Sequence, residues 1–118
     1  MQRLAAGENE FGLAGFTGLV KTAGVDVLQP DLAKCGGLTP AAAIDRLADE
    51  ADIWLCPHNF SLGPSLGANI HWAMTASAAR WIEVPFLPEG EAFPGPWRLP
   101  TLVDGCVPYP NCAGLAWD

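Results

Sequence analysis

Apolar residues in this chain fall into short compact runs separated by longer stretches of helical spacing. Val25–Gln29 and Ile53–Cys56 are compact apolar runs, each closed by a proline, Pro30 and Pro57. Such runs predict short strands. Leu4–Glu8 predicts a weak strand end of small residues, and Arg80–Val84 predicts a fourth strand. Between the first two, Phe11, Leu13, Phe16, Leu19 and Val20 predict a helix over Phe11–Ala23, weakened by Gly12, Gly15 and Gly18. Thr39 as N-cap and Pro40 in the first turn predict a helix over Pro40–Ala51. Its apolar face is Ala43, Ile44, Leu47 and Ala48, opposite Asp45, Arg46, Asp49 and Glu50. A further helix rich in small residues is expected over Pro64–Ala79, after a Gly- and Ser-containing loop. Trp54, Trp72 and Trp81 read as core, and His71 as a packing or surface residue.

Strand–helix alternation implies an α/β fold with parallel strands and right-handed crossovers. Four such units are half of the eight that close a TIM-type (β/α)8 barrel. Residues 1–84 are therefore expected to form a partial barrel of about four strand units. From Pro85 onward the texture changes. Eight of the eleven prolines lie downstream of His58, most of them beyond Glu83, and predict an irregular tail. Residues 85–118 are expected to be an extension that packs on the barrel or on a missing capping domain. A hairpin is expected at Val103–Val107 around Asp104-Gly105. Alone, a half-barrel presents two open edges and an uncovered apolar face, which favours aggregation or dimerisation.

Composition narrows the partners. Half of the 118 residues are hydrophobic and 16% are charged, so disorder is not expected over most of the length. The formal charge of −7, with six scattered basic residues, argues against nucleic acid. An anionic substrate requires a cation, most simply a metal, to offset the local field. Cys35, Cys56, Cys106 and Cys112 form no C-x-x-C pair. Cys56 reads as a buried thiol in an apolar run, and Cys106 could pair with Cys112 in principle. Neither a signal peptide nor an apolar stretch of about 20 residues is visible, so a cytoplasmic protein without membrane contact is expected.

The expected strands each run into one ionisable residue: Glu8, Asp31, His58 and Glu83, at gaps of 23, 27 and 25 residues. Strand, loop, helix and return loop need about that length. Polar groups at successive strand ends are how an α/β barrel assembles a catalytic face. Three of them have a plainer reading: Glu8 as a solvated loop carboxylate, Asp31 as a turn cap before a Gly-rich turn, and His58 as a structural histidine. Asn9 is a candidate substrate or metal contact, or a turn residue. Lys34, just past Asp31, is expected to add positive charge near the site.

Four strings carry a family resemblance: Gly7-Glu8-Asn9; Gln29-Pro30-Asp31 followed by Lys34-Cys35-Gly36-Gly37-Leu38-Thr39; Cys56-Pro57-His58-Asn59; and Ile82-Glu83-Val84. Together with the tail strings Leu102-Val103-Asp104-Gly105 and Asn111-Cys112-Ala113-Gly114-Leu115, they resemble the C-terminal half of the enolase-superfamily barrel. Within it they are similar to the mandelate racemase subgroup, which includes many acid-sugar dehydratases. The resemblance implies that Glu8 is the last of three carboxylate ligands to Mg²⁺. It implies that His58 is a general acid/base whose far nitrogen is held by Asp31, and that Glu83 sits beside the substrate carboxylate and helps stabilise the enediolate. A carbon acid of this kind needs a hard cation and fixed hydrogen-bond donors, and a protonated Glu83 would supply one.

The family's two other metal carboxylates, its Lys-x-Lys base pair and its capping domain have no counterpart in these residues. One carboxylate is a poor Mg²⁺ site, so the isolated chain is expected to bind metal weakly and turn over little. The leading expectation is a fragment of a Mg²⁺-dependent sugar-acid dehydratase acting on a small carboxylate. A racemase or epimerase of mandelate type is the close alternative. The muconate-cycloisomerase branch is disfavoured, because it places a lysine where this chain has Asp31. A third reading is non-catalytic: a truncated remnant or a dimerising half-barrel, favoured by Met1 directly before the first strand. Its partner would be a second copy or a missing N-terminal half.

Overall fold

Proline decides where this sheet stops. In the computed structural model, which describes residues 2–22, 24–89, 91–92, 95–111 and 113–115, three two-residue strands pair in parallel. They are β1 (Ala5–Ala6), β2 (Val27–Leu28) and β3 (Trp54–Leu55), in the order β1-β2-β3. Ala5 and Ala6 register with Val27 and Leu28, which register in turn with Trp54 and Leu55. Pro30 and Pro57 follow, each fully buried. Neither has an N–H to continue the ladder, so regular pairing ends there.

Helices fill the crossovers. They are α1 (Gly12–Lys21), the short α2 (Leu32–Cys35), α3 (Leu38–Glu50) and α4 (Pro64–Thr75). Parallel strands need such crossovers, and the alternation makes the chain α/β. The main core joins sheet and helices: Phe16 of α1, Leu28 of β2, Ile44 and Ala48 of α3, Leu55 of β3 and Trp72 of α4. A second cluster of Leu62, Leu66 and Ile70 packs against Ile82, Trp97 and Val107. Residues of the 85–118 segment thus lie on α4.

Several boundaries differ from expectation for physical reasons. Helix α3 begins at Leu38 with Gly37 at the N-cap, so Thr39 caps nothing. It ends on a Schellman motif. Asp52 donates to Asp49 O and Ile53 to Ala48 O, with Asp52 at φ 54°. Helix α4 stops at Thr75, short of Ala79. The next turn is held by Asp45, whose carboxylate accepts from Ser77 N and Ala78 N at 3.0 and 2.9 Å. The helix expected to reach Ala23 ends at Lys21, and Ala23 itself lies outside the described residues.

The fourth strand does not form. Leu55 pairs with Ala79 in an isolated parallel bridge and Arg80 N donates to Leu55 O, but Arg80–Val84 only runs alongside β3. Past Arg80 the described residues keep one backbone hydrogen bond to the β3 side, Glu83 N to Pro57 O at 3.4 Å, so the ladder does not continue. Trp81 is accordingly 53% exposed rather than core. It meets the half-buried Trp54 edge-on at 5.0 Å, and Arg3 lies over Trp54. Trp72 is buried as expected. The hairpin at Val103–Val107 is present: Val103 pairs with Cys106, and Asp104 and Gly105 both have positive φ.

Candidate active site

Just past the two prolines, the backbones of Asp31 and His58 meet in an isolated parallel bridge, and His58 N donates to Pro30 O at 3.0 Å. Their side chains meet as well, with His58 Nδ1 3.3 Å from Asp31 Oδ2. The other carboxylate oxygen, Oδ1, accepts from Ala33 N at 2.7 Å and caps α2. The turn-cap and imidazole-partner readings of Asp31 therefore hold together, one oxygen each.

Glu8 reaches the imidazole from the neighbouring strand. Gly7 turns the chain at φ 125°, where a Cβ would lie 2.8 Å from Phe16 Cε1. The turn delivers Glu8 Oε2 to 3.1 Å from His58 Nε2. Asn9 Nδ2 donates to Glu8 Oε1 at 3.3 Å, and Lys34 Nζ donates to Asn9 Oδ1 at 2.8 Å. Glu83 arrives from the segment beside β3, with Oε2 3.7 Å from His58 Nε2. Three carboxylates, Glu8, Asp31 and Glu83, thus converge on the His58 imidazole, which is 18% exposed, and Asn9 and Lys34 join the cluster through Glu8.

Two participants escaped the sequence reading. Gln29 Nε2 donates to Glu83 Oε1 at 2.6 Å, and Asn59 N donates to Glu83 Oε2 at 3.3 Å. Alternation along a strand puts residues two apart on one face, so Gln29, two before Asp31, carried a usable signal. Asn59 is buried, and its Oδ1 accepts from Ser61 Oγ, Ser65 Oγ and Asn69 Nδ2. This polar cluster ties the His58 loop to the first turns of α4.

The arrangement suits proton transfer at one atom. With Nδ1 turned to Asp31, Nε2 is the imidazole atom left to take or deliver a proton. Glu83, expected as a hydrogen-bond donor, here accepts from an N–H with each oxygen. Beneath the site, burial first and the Glu83 charge second push the Cys56 thiol up to about 11. Burial raises Cys35 as well.

Magnesium was expected on Glu8. Among the described residues no three His, Cys, Asp or Glu side chains converge as ligands. Glu8 Oε2 faces an imidazole rather than other oxygens. Mg²⁺ demands near-octahedral oxygen ligation, and the residues present do not fit it on their own. His71 is half-buried on α4, and its buried Nε2 has no hydrogen-bond partner among the described residues. Cys106 is exposed, while Cys112, its expected possible partner, lies outside the described residues. Among the described residues no helix is long and apolar enough to cross a membrane.

Residues 2–118 match the family described as Enolase C-terminal domain-like. A D-galactonate dehydratase from Ralstonia pickettii is 41% identical over 69 residues, which are 58% of this chain and 18% of that enzyme. This chain therefore spans under a fifth of the curated relative it matches. Among solved structures, an enolase from Agrobacterium radiobacter bound to Na and L-malate superposes with a TM-score of 0.70 at 30% identity, covering 77% of this chain and 23% of that one. L-Talarate dehydratase from Polaromonas sp. JS666, complexed with Mg and L-glucarate, gives 0.60 at 28% identity over 69% and 21%.

Proposed function

This chain belongs to the Enolase C-terminal domain-like family, and from that premise we propose that it forms the acid/base portion of a sugar-acid dehydratase. Its parallel strands and alternating helices are the C-terminal half of that family's (β/α)8 barrel. The observation that carries the proposal is the position of His58, with Nδ1 on Asp31 and Nε2 aimed into the carboxylate-lined mouth of the strand ends. Relatives that are sugar-acid dehydratases support the substrate class.

Dehydration of an aldonic or aldaric acid removes the proton on the carbon next to the carboxylate. The hydroxyl on the following carbon leaves as water, and the resulting enol becomes a 2-oxo-3-deoxy acid. Hydroxide is a poor leaving group, so a positioned acid must protonate that oxygen as the bond breaks. His58 Nε2 fills that role. Asp31 keeps the other ring nitrogen occupied, which fixes the tautomer and steadies the charged imidazolium. Lys34, hydrogen-bonded to Asn9, would add positive charge near an anionic substrate.

Magnesium belongs to the same proposal. In the complete enzyme it would hold the substrate carboxylate, with Glu8 as one ligand and the other oxygens from elsewhere in the barrel.

The test is a chimera of the Ralstonia pickettii D-galactonate dehydratase in which residues 2–84 of this chain replace the corresponding barrel segment. A folded chimera is expected to form 2-oxo-3-deoxy acid from D-galactonate or another sugar acid. A folded chimera that yields no such product from any sugar acid would contradict the proposal.

A further inference from the structure

Asp31 and His58 stand on strand ends that the backbone ladder holds in place. Glu83 does not. Among the described residues its segment shares backbone hydrogen bonds with the β3 side only through Leu55 and Ala79–Arg80 and through Glu83 N to Pro57 O at a long 3.4 Å, while Trp81 and Ile82 beside it are held by side-chain packing. Something else must fix its carboxylate 3.7 Å from His58.

We infer that Gln29 is the positioning residue that holds the Glu83 carboxylate beside His58. Its side chain starts from the end of β2, on the face that also carries Asp31, and spans past β3 to the next segment. The resulting bond, Gln29 Nε2 to Glu83 Oε1 at 2.6 Å, joins residues 54 apart in sequence. It is at the short end for an amide donor, as expected when the acceptor is a carboxylate. The second oxygen is closed off by Asn59 N at 3.3 Å, from a residue clamped by Ser61, Ser65 and Asn69. Glu83 is thus gripped from both sides, and its Oε2 edge is presented to His58.

An amide cannot lose its proton at working pH, so Gln29 holds the carboxylate without competing for the proton that His58 handles. A carboxylate fixed this way keeps its Oε2 turned to the imidazole throughout a catalytic cycle. Losing the tether frees Glu83 to rotate on a segment with little backbone support. Misplacement of that kind lowers the rate of the chemical step more than substrate binding. The catalytic consequence rests on the dehydratase reading; the tether itself does not.

Two measurements separate them. In this chain labelled with ¹⁵N-glutamine, the two Gln29 side-chain amide protons are expected to be widely split and slow to exchange. Glu83→Ala should collapse them to the position of a free glutamine. Signals that are already free-like, or that ignore Glu83→Ala, would overturn the tether. In the dehydratase chimera, Gln29→Leu is expected to lower kcat about tenfold or more, with KM changing much less and the melting temperature preserved. An unchanged kcat would overturn the positioning role. A folded chimera that is inactive before any substitution would count against the dehydratase reading alone, and the amide signals would then decide the tether.

Discussion

His58 and Asp31 are joined twice, through a backbone bridge and through a 3.3 Å contact between Nδ1 and Oδ2. The doubled link follows from the buried prolines immediately before each residue, which end the ladder on adjacent strands at the same level. A strand end alone leaves a side chain free to turn. Here the partner's backbone and its carboxylate constrain the ring together.

Because Asp31 divides its oxygens between His58 and the start of α2, two substitutions separate the roles. Asp31→Asn keeps a good cap and should cost less than about 0.5 kcal/mol in thermal unfolding, whereas Asp31→Ala should cost about 1 kcal/mol. In the dehydratase chimera both should lower turnover by about tenfold or more, since neither leaves a carboxylate on Nδ1. Equal turnover for Asn and wild type would show that Asp31 is only a cap.

The buried thiols give a pH-dependent signature. Burial and the Glu83 charge push Cys56 up to about 11, above the roughly 8.5 of a free thiol in an unfolded chain. Over that window the unfolded state binds fewer protons than the folded state, so stability falls as pH rises. The contribution of Cys56 is whole below about pH 8.5 and is lost as pH climbs towards about 11. Alkylation mapped by mass spectrometry should label exposed Cys106 first, with Cys35 and Cys56 protected until the chain unfolds. Early labelling of Cys56 would refute its burial.

Asp52 occupies the left-handed position that closes α3 and feeds β3. Glycine meets that conformation without a Cβ penalty, so Asp52→Gly should stabilise the fold by about 0.5–1 kcal/mol in urea unfolding. A loss of stability would mean that the Asp52 side chain contributes more than its backbone costs.

Much of the site was legible because it depends on strand ends. Compact apolar runs closed by Pro30 and Pro57 marked where β2 and β3 stop, and the next residue in each case faces the site. The helices were legible from apolar spacing, apart from their ends. Those ends are set by tertiary partners, such as Asp45 holding Ser77 and Ala78, that no local pattern reveals. The four-residue helix α2 was missed because Leu32–Cys35 precedes Gly36-Gly37 and reads as a turn. The fourth strand was expected from its apolar run, but beyond the Leu55–Ala79 bridge its backbone leaves regular pairing with β3, which no local pattern reveals. Gln29 was overlooked because an uncharged amide attracts notice only once its partner, 54 residues away, is known.

The central claim is that His58 handles the proton in sugar-acid dehydration, and one substitution tests it most directly. In the dehydratase chimera, His58→Asn keeps the size and polarity of the side chain while removing the titrating nitrogen. It should lower kcat for 2-oxo-3-deoxy acid formation by about a hundredfold or more, with circular dichroism and melting temperature preserved. A His58→Asn chimera that turns over at the parent rate would contradict the assignment and the proposed function with it.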